Sequence, residues 1–165
     1  YFCLSRGLGD VYKRQGLILV LIYLAWVDLR TFLLPNKVTY PLVALGLFFN
    51  TLTPYALCDL QAAWLGALIG YFALYLINRI YRQFRRQDGL GMGDAKLLAA
   101  LGSWLGIGSL PLMLLVASLL GIIGGLLWLR HHKLSSGHVF PFGPFLVIAG
   151  IIEIVWSSRL INSSI

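Results

Sequence analysis

Residues Leu110 to Leu129 read LPLMLLVASLLGIIGGLLWL, twenty positions without a single charged side chain. An α-helix needs about 20 apolar residues to cross a hydrocarbon core about 30 Å thick, so this stretch is long enough to span a bilayer. Five further apolar runs flank it, at 16–27, 39–57, 60–78, 94–109 and 139–158. Of the 165 residues, 59% are hydrophobic and 12% charged, and the mean hydropathy is +0.82. A soluble domain carries about 25% charged residues, so a soluble enzyme and a disordered chain are both excluded. The sequence therefore predicts an all-α, polytopic membrane bundle of about six transmembrane helices. Cys3 and Cys58 lie far apart without CxxC spacing, which indicates neither a disulfide framework nor a thiolate zinc site.

The second run is the weakest, because Asn50, Thr51, Thr53 and Pro54 make its latter half polar; a short, kinked or partly interfacial helix is expected there. Small residues recur at four-residue spacing as Gly66 with Gly70, Gly102 with Gly106, and Gly121 with Gly125. In lipid that spacing lets helix backbones approach closely, so these glycines are read as packing positions without chemistry.

The cations set the orientation. Arg30 and Lys37 fall between the first two runs, Arg79, Arg82, Arg85 and Arg86 between the third and fourth, and Arg130 and Lys133 between the fifth and sixth. The loops at 50–59 and 106–110 have no Lys or Arg. Positively charged loops stay on the cytoplasmic side, so the three basic loops are expected inside and the two neutral ones outside. The formal charge of +7 would point to nucleic acid in a soluble protein; here it marks loops, and no nucleic-acid partner is called for. Lys13 and Arg14 break the pattern, since they precede the first run on its outer side. The first run has only 12 uncharged residues, roughly 18 Å of helix. The segment Gly9 to Gln15, GDVYKRQ, is similar to translated sequencing-adapter sequence. Residues 1–15 are accordingly expected to be a non-native leader, with the membrane domain over 16–165.

Ionisable groups near a bilayer core are costly, about 2.5 to 3.5 kcal/mol at a helix centre on insertion scales, so each acid needs a reason. Asp59 suits a helix start, Asp88 a solvated counter-ion in the arginine-rich loop, and Glu153 has to face the bundle or a water-filled cavity. Asp28 ends the first run and Asp94 begins the fourth, so the topology places both at the cytoplasmic boundary. A plain account exists for each: Asp28 could pair with Arg30 or Lys37, and Asp94 could sit at a helix N-terminus, where the dipole favours a carboxylate. Asp94, however, closes Gly89-Leu90-Gly91-Met92-Gly93-Asp94, with glycines at alternate positions before a helical run. Glycine opens backbone angles closed to other residues and lets a second backbone come close, and no strand is at hand for a dinucleotide fingerprint. Two carboxyl groups held together share one proton. The ionised one can then take a proton from an attacking water while the other donates to the developing oxyanion. That is aspartic-protease chemistry, with no metal and no cofactor. His131, His132 and His138 match no zinc spacing and read as solvated loop residues.

Three stretches carry a resemblance to a family. They are Asp28-Leu29-Arg30 with Leu34-Pro35-Asn36-Lys37-Val38-Thr39-Tyr40-Pro41; Gly91-Met92-Gly93-Asp94 continuing through Lys96-Leu97-Leu98-Ala99-Ala100-Leu101-Gly102; and Pro141-Phe142-Gly143-Pro144. From Gly16 to Trp156 the chain resembles the bacterial type IV prepilin peptidases, membrane aspartic proteases of the GxGD class. The resemblance implies cleavage of the short basic leader from prepilins and from the pseudopilins of type II secretion, at the cytoplasmic face of the inner membrane. It places the catalytic aspartates at Asp28 and Asp94, and the glycines shaping the second aspartate's loop at Gly91 and Gly93. For Lys96 and the Pro-Phe-Gly-Pro stretch only similarity carries over; a turn entering the sixth helix accounts for the latter. Larger members have a further membrane segment and a cytosolic domain with paired CxxC motifs, and also methylate the new N-terminus. Those motifs are absent from this sequence, which reads as an N-terminally truncated member.

Two other readings compete. A small cation-coupled transporter would use the same carboxylates for ion binding, although such sites usually lie near the bilayer midplane. An inactive fragment of a bifunctional peptidase and methyltransferase would fold without cleaving. The expected partners are prepilin and pseudopilin peptides and the lipid bilayer; the oligomeric state is not legible.

Overall fold

A computed structural model describes residues 2–31, 33–52, 57–85, 91–131 and 142–163, with side chains defined for most of the bundle interior. Six α-helices follow one another: α1 (Phe2–Thr31), α2 (Asn36–Leu52), α3 (Leu60–Arg85), α4 (Met92–Leu105), α5 (Leu110–His131) and α6 (Gly143–Ser163). A short 3-10 turn, Ile107–Ser109, links α4 to α5, and no strand occurs among the described residues.

The all-α membrane bundle expected from composition is what forms, and its surface is inverted relative to a soluble protein. On α5 the residues Leu115, Leu119, Ile122 and Leu126 recur at helical spacing and are 54–63% exposed, a continuous apolar stripe that water would penalise and lipid accommodates. By length and composition Leu60–Gln83 and Ile107–Leu127 qualify as membrane-crossing helices, with Gly143–Trp156 a shorter apolar helix.

The fourth expected span differs from the prediction. Instead of a helix over 94–109, α4 stops at Leu105 because Gly106 adopts φ +81° and ψ 172°, a left-handed backbone that closes the helix with an N–H···O bond from Gly106 to Gly102. Its 14 residues give about 21 Å, short of a bilayer core. Every residue from Asp94 to Trp104 except Lys96 is buried, with α3, α2 and α6 packed around it. Thus α4 is a central pillar within the bundle. Its hydropathy looks like that of a spanning helix because protein, like lipid, accepts an apolar surface.

Glycines bring the neighbours of α4 into backbone contact. A Cβ on Gly102 would run into the carbonyl of Gly66, and one on Gly66 into that of Gly102; on Gly70 it would stand 2.9 Å from the Leu98 oxygen. The packing role read from Gly66, Gly70 and Gly102 is therefore realised between α3 and α4. On α5 the receiving positions include Gly121, one of the expected pair, where an added Cβ would be 3.3 Å from Phe142, and Gly124, where it would be 2.5 Å from Phe145. Phe142, just before α6, and Phe145 within it lean into the gap those glycines leave.

Asn50, read as a polar weakness in the second run, is buried and turned inward. Its Nδ2 donates to the Ser103 carbonyl at 2.8 Å and the Trp104 carbonyl at 3.2 Å, and its Oδ1 accepts the Leu57 N–H at 2.8 Å. The last carbonyls of a helix lack intrahelical partners, and in an apolar surround leaving them unpaired is expensive; Asn50 supplies the donors for α4. At the same end Lys13 lies over the Phe49 ring at 5.0 Å and Arg14 donates to the Ile154 carbonyl at 3.2 Å. The two cations that the loop-charge pattern leaves over are thus in contact with α2 and α6.

Replacing Gly102 with alanine drives a methyl group into the Gly66 carbonyl and parts α3 from α4. The expected loss is about 1–3 kcal/mol, read as a lowered unfolding midpoint in detergent micelles. Gly108→Ala, at a position with nothing within 4 Å of the added carbon, leaves the midpoint unchanged.

Candidate active site

On α1 the buried residues Leu17, Leu21 and Leu24 are 3%, 0% and 0% exposed, and Asp28, at 5%, continues the same stripe one turn later. The i, i+4, i+7, i+11 spacing fixes the facing of that carboxylate: it lies on the side of α1 that packs into the bundle. Asp94 arrives from the opposite direction, in the first turn of α4, also 5% exposed. Its N–H donates to the Gly91 carbonyl at 3.0 Å, which winds the first turn.

The two carboxylates meet at Gly143, the first residue of α6. A Cβ on Gly143 would be 2.5 Å from Asp28 Oδ2 and 3.3 Å from Asp94 Oδ1, so the two oxygens are separated by no more than those distances laid end to end. The backbone of Gly143 lies against the Asp28 carboxylate, and that of Gly91 against the Asp94 carboxylate. Asp28 Oδ2 has no hydrogen-bond partner among the described residues. The N-termini of α4 and α6 thus both point at the pair, and their dipole ends favour negative charge there. This accommodates one ionised carboxyl; a second beside it is opposed by the first.

The plain account of Asp28 as an ion-pair partner is not what the structure shows. Arg30 stacks over the Trp26 ring at 4.4 Å, and no salt bridge reaches Asp28 among the described residues. Of the glycines assigned to the loop, Gly93 is held by space: a Cβ would stand 2.8 Å from Cβ of Leu34, so the segment after α1 closes directly over it. Gly91 is extended, with φ −66°, and an added Cβ would find its nearest neighbour, Asp94 Oδ2, at 3.6 Å. Neither glycine is in the left-handed region, which among the described glycines belongs to Gly106 alone. The loop is shaped by close approach and not by unusual backbone angles. Lys96 faces away from the pair; its Nζ contacts Asn36 Oδ1 at 2.6 Å and lies 5.1 Å from the Tyr40 ring centre, tying α4 to the start of α2.

Gly143 is the site residue that the sequence reading missed, having been taken as part of a turn into the sixth helix. The available signal was a glycine at the start of an apolar helix, a place where another group can come close. Pro141, Asp88, His131, His132 and His138 lie outside the described side chains. Glu153 is half-buried on α6, ten residues from Gly143 and about 15 Å along the axis, well removed from the pair. Asp59 is exposed, and its carbonyl accepts the Ala63 N–H at 2.9 Å, in keeping with a helix start.

An all-α membrane bundle that buries two facing carboxyl groups at one end defines a class, that of intramembrane proteins with a paired-aspartate site. Residues 16–126 match the type IV leader peptidase family, and the chain belongs to it. It is 43% identical over 136 residues to the prepilin leader peptidase/N-methyltransferase of Dickeya chrysanthemi, covering 82% of this chain and 47% of that one. For the protein of the same name from Aeromonas hydrophila the figures are 42% over 143 residues, 86% and 48%. For that of Pseudomonas aeruginosa they are 39% over 155 residues, 92% and 53%. The chain spans about half the length of these curated relatives. No solved structure matches it.

Replacing one carboxyl group of the pair by an uncharged amide relieves the repulsion. Asp28→Asn is therefore expected to stabilise the fold by about 1–2 kcal/mol, seen as a raised unfolding midpoint at mildly alkaline pH in micelles. A lowered midpoint would show that the Asp28 carboxylate supports the fold.

Proposed function

We propose that this chain is an aspartic-type endopeptidase that removes the basic leader from prepilins and pseudopilins at the cytoplasmic face of the inner membrane, with Asp28 and Asp94 as its catalytic residues. The observation that carries the reading is the convergence of both carboxylates on Gly143, from positions 66 residues apart in sequence. The names of the relatives support the substrate class. Arg30, Lys37, Arg79 and Arg82, all near the end that holds the pair, support the cytoplasmic orientation.

In this mechanism the pair enters with one proton between its two carboxyl groups. The ionised group takes a proton from a water molecule as that oxygen attacks the carbonyl carbon of the scissile peptide, and the protonated group donates to the carbonyl oxygen as it gains charge. Collapse of the tetrahedral adduct re-forms the carbonyl and breaks the C–N bond, and the proton taken from water passes to the departing amine. One shared proton returns to the pair, so the cycle closes. The extended approach that a peptide needs beside Asp94 is consistent with the bare backbone at Gly91 and Gly143, which keeps the surround of the carboxylates low; Gly93 is instead covered by Leu34.

Asp28→Asn and Asp94→Asn are each expected to lower processing of a co-expressed prepilin by at least about 100-fold while the protein still inserts and accumulates in the membrane. Processing at the wild-type rate in either variant would sink the assignment. Cleavage should follow a bell-shaped pH profile, lost on the acid side when both groups are protonated and on the alkaline side when both are ionised. Gly143→Ala, which pushes a methyl group against Asp28 Oδ2, should depress cleavage comparably and lower the maximal rate more than the apparent affinity for peptide.

A further inference from the structure

We infer that the bundle carries a second site beside the carboxylate pair: a cavity that binds the phosphate group of an anionic ligand, with a phospholipid headgroup as the fitting source. Tyr75, Asn78, Arg79, Arg82 and Gln83 line it from α3, and Met92 from the start of α4; its volume is about 690 Å³. This inference rests on the membrane placement of the bundle and is independent of the peptidase reading.

The lining follows from helix geometry. Positions 75, 78, 79, 82 and 83 are related by i, i+3, i+4, i+7 and i+8, which puts all five on one face of α3. Sequence reading assigned Arg79 and Arg82 to a loop between spans. They lie instead inside α3, which runs on to Arg85; both side chains are exposed, and the helix sets their spacing along the cavity wall.

The chemistry of that wall selects an anion. A guanidinium presents a planar fork of donors that matches a phosphate's oxygens two at a time, and the Tyr75 hydroxyl adds a donor suited to ester and glycerol oxygens. Met92, the first residue of α4, forms the far wall. A basic leader peptide is repelled by such a lining, so the cavity does not serve the substrate of the proposed reaction. Its volume lies in the usual range for small-molecule sites, about 300–1,000 Å³, and exceeds what a bare phosphate fills. Basic pockets between membrane helices hold anionic headgroups.

The test uses the whole purified chain. Thermal unfolding is measured in nanodiscs of phosphatidylcholine with and without phosphatidylglycerol, and in detergent micelles with inorganic phosphate. The same series is run on Arg79→Gln/Arg82→Gln and, as a control for general surface attraction, on Arg30→Gln/Lys37→Gln. The expected result is a rise in midpoint with phosphatidylglycerol that the control retains and the cavity variant loses, together with a fall of roughly tenfold or more in co-purifying anionic lipid. Stabilisation by inorganic phosphate without a lipid effect, lost in the same variant, would support the site with a soluble phosphate as its source. No stabilisation by either ligand, or a gain lost equally in the control, would overturn the proposal. Should the double Gln variant fail to fold, Arg79→Lys/Arg82→Lys keeps the charge and removes the fork; it should bind more weakly than wild type, and unchanged binding would equally overturn it.

Discussion

The contact that organises this molecule is between a missing side chain and two carboxyl groups. Gly143 opens α6 with bare backbone, and into that space come Asp28 from the end of α1 and Asp94 from the start of α4. Holding two carboxyl groups this close in a buried setting costs energy that no local interaction returns, since Asp28 Oδ2 lacks a partner among the described residues. The opposing forces are collective: the Leu17-Leu21-Leu24 stripe that seats α1, the close packing of α3 on α4, and the two helix N-termini directed at the pair. Local strain supported by distant packing is the pattern expected where chemistry is done.

The pillar α4 explains how the support reaches the pair. Its far end is fixed by Asn50 on the Ser103 and Trp104 carbonyls, by the Trp104 indole donating to the Leu42 carbonyl at 2.9 Å, and by the turn at Gly106. Its flank is fixed by the Gly66 and Gly70 contacts. With its far end and one side held, the first turn of α4 has little freedom to move, and Asp94 sits in that turn. Lys96 extends the arrangement to the neighbouring helix through Asn36 and Tyr40, so α1, the segment that follows it and α4 keep a common frame around the carboxylates.

Much of this was legible in residues alone, and what was missed has a consistent cause. Six helices follow from runs of apolar residues because a bilayer demands length before anything else. Asp28 and Asp94 could be expected at one end because each adjoins a stretch rich in cations, Arg30 and Lys37 for the first and Arg79 and Arg82 for the second. Hydropathy, however, counts composition and not neighbours: the same apolar string serves a helix in lipid and α4 inside protein, which is why the length and role of α4 were misread. Asn50 looked like a break in a helix because polarity in a sequence does not say whether the group faces lipid or a helix end in need of donors. Gly143 lies 115 residues from Asp28, and a contact over that separation exists only once the helices have packed.

Electrostatics at this end of the bundle can be argued one step further. The cations there are numerous, yet those nearest the pair are engaged elsewhere: Arg30 lies on Trp26 and Lys96 on Asn36 and Tyr40. Neither neutralises Asp28 or Asp94, and both are held by uncharged partners that leave the carboxylates their own field. Arg79 and Arg82 line a separate wall on α3. Opposite charges are thus kept apart over a short distance, although pairing them would lower the energy of the folded chain. A buried pair with a salt-bridge partner would hold both groups ionised and would have no proton to give. In the proposed reaction one carboxyl accepts a proton while the other donates, and segregation of the bases from the acids is a condition for it.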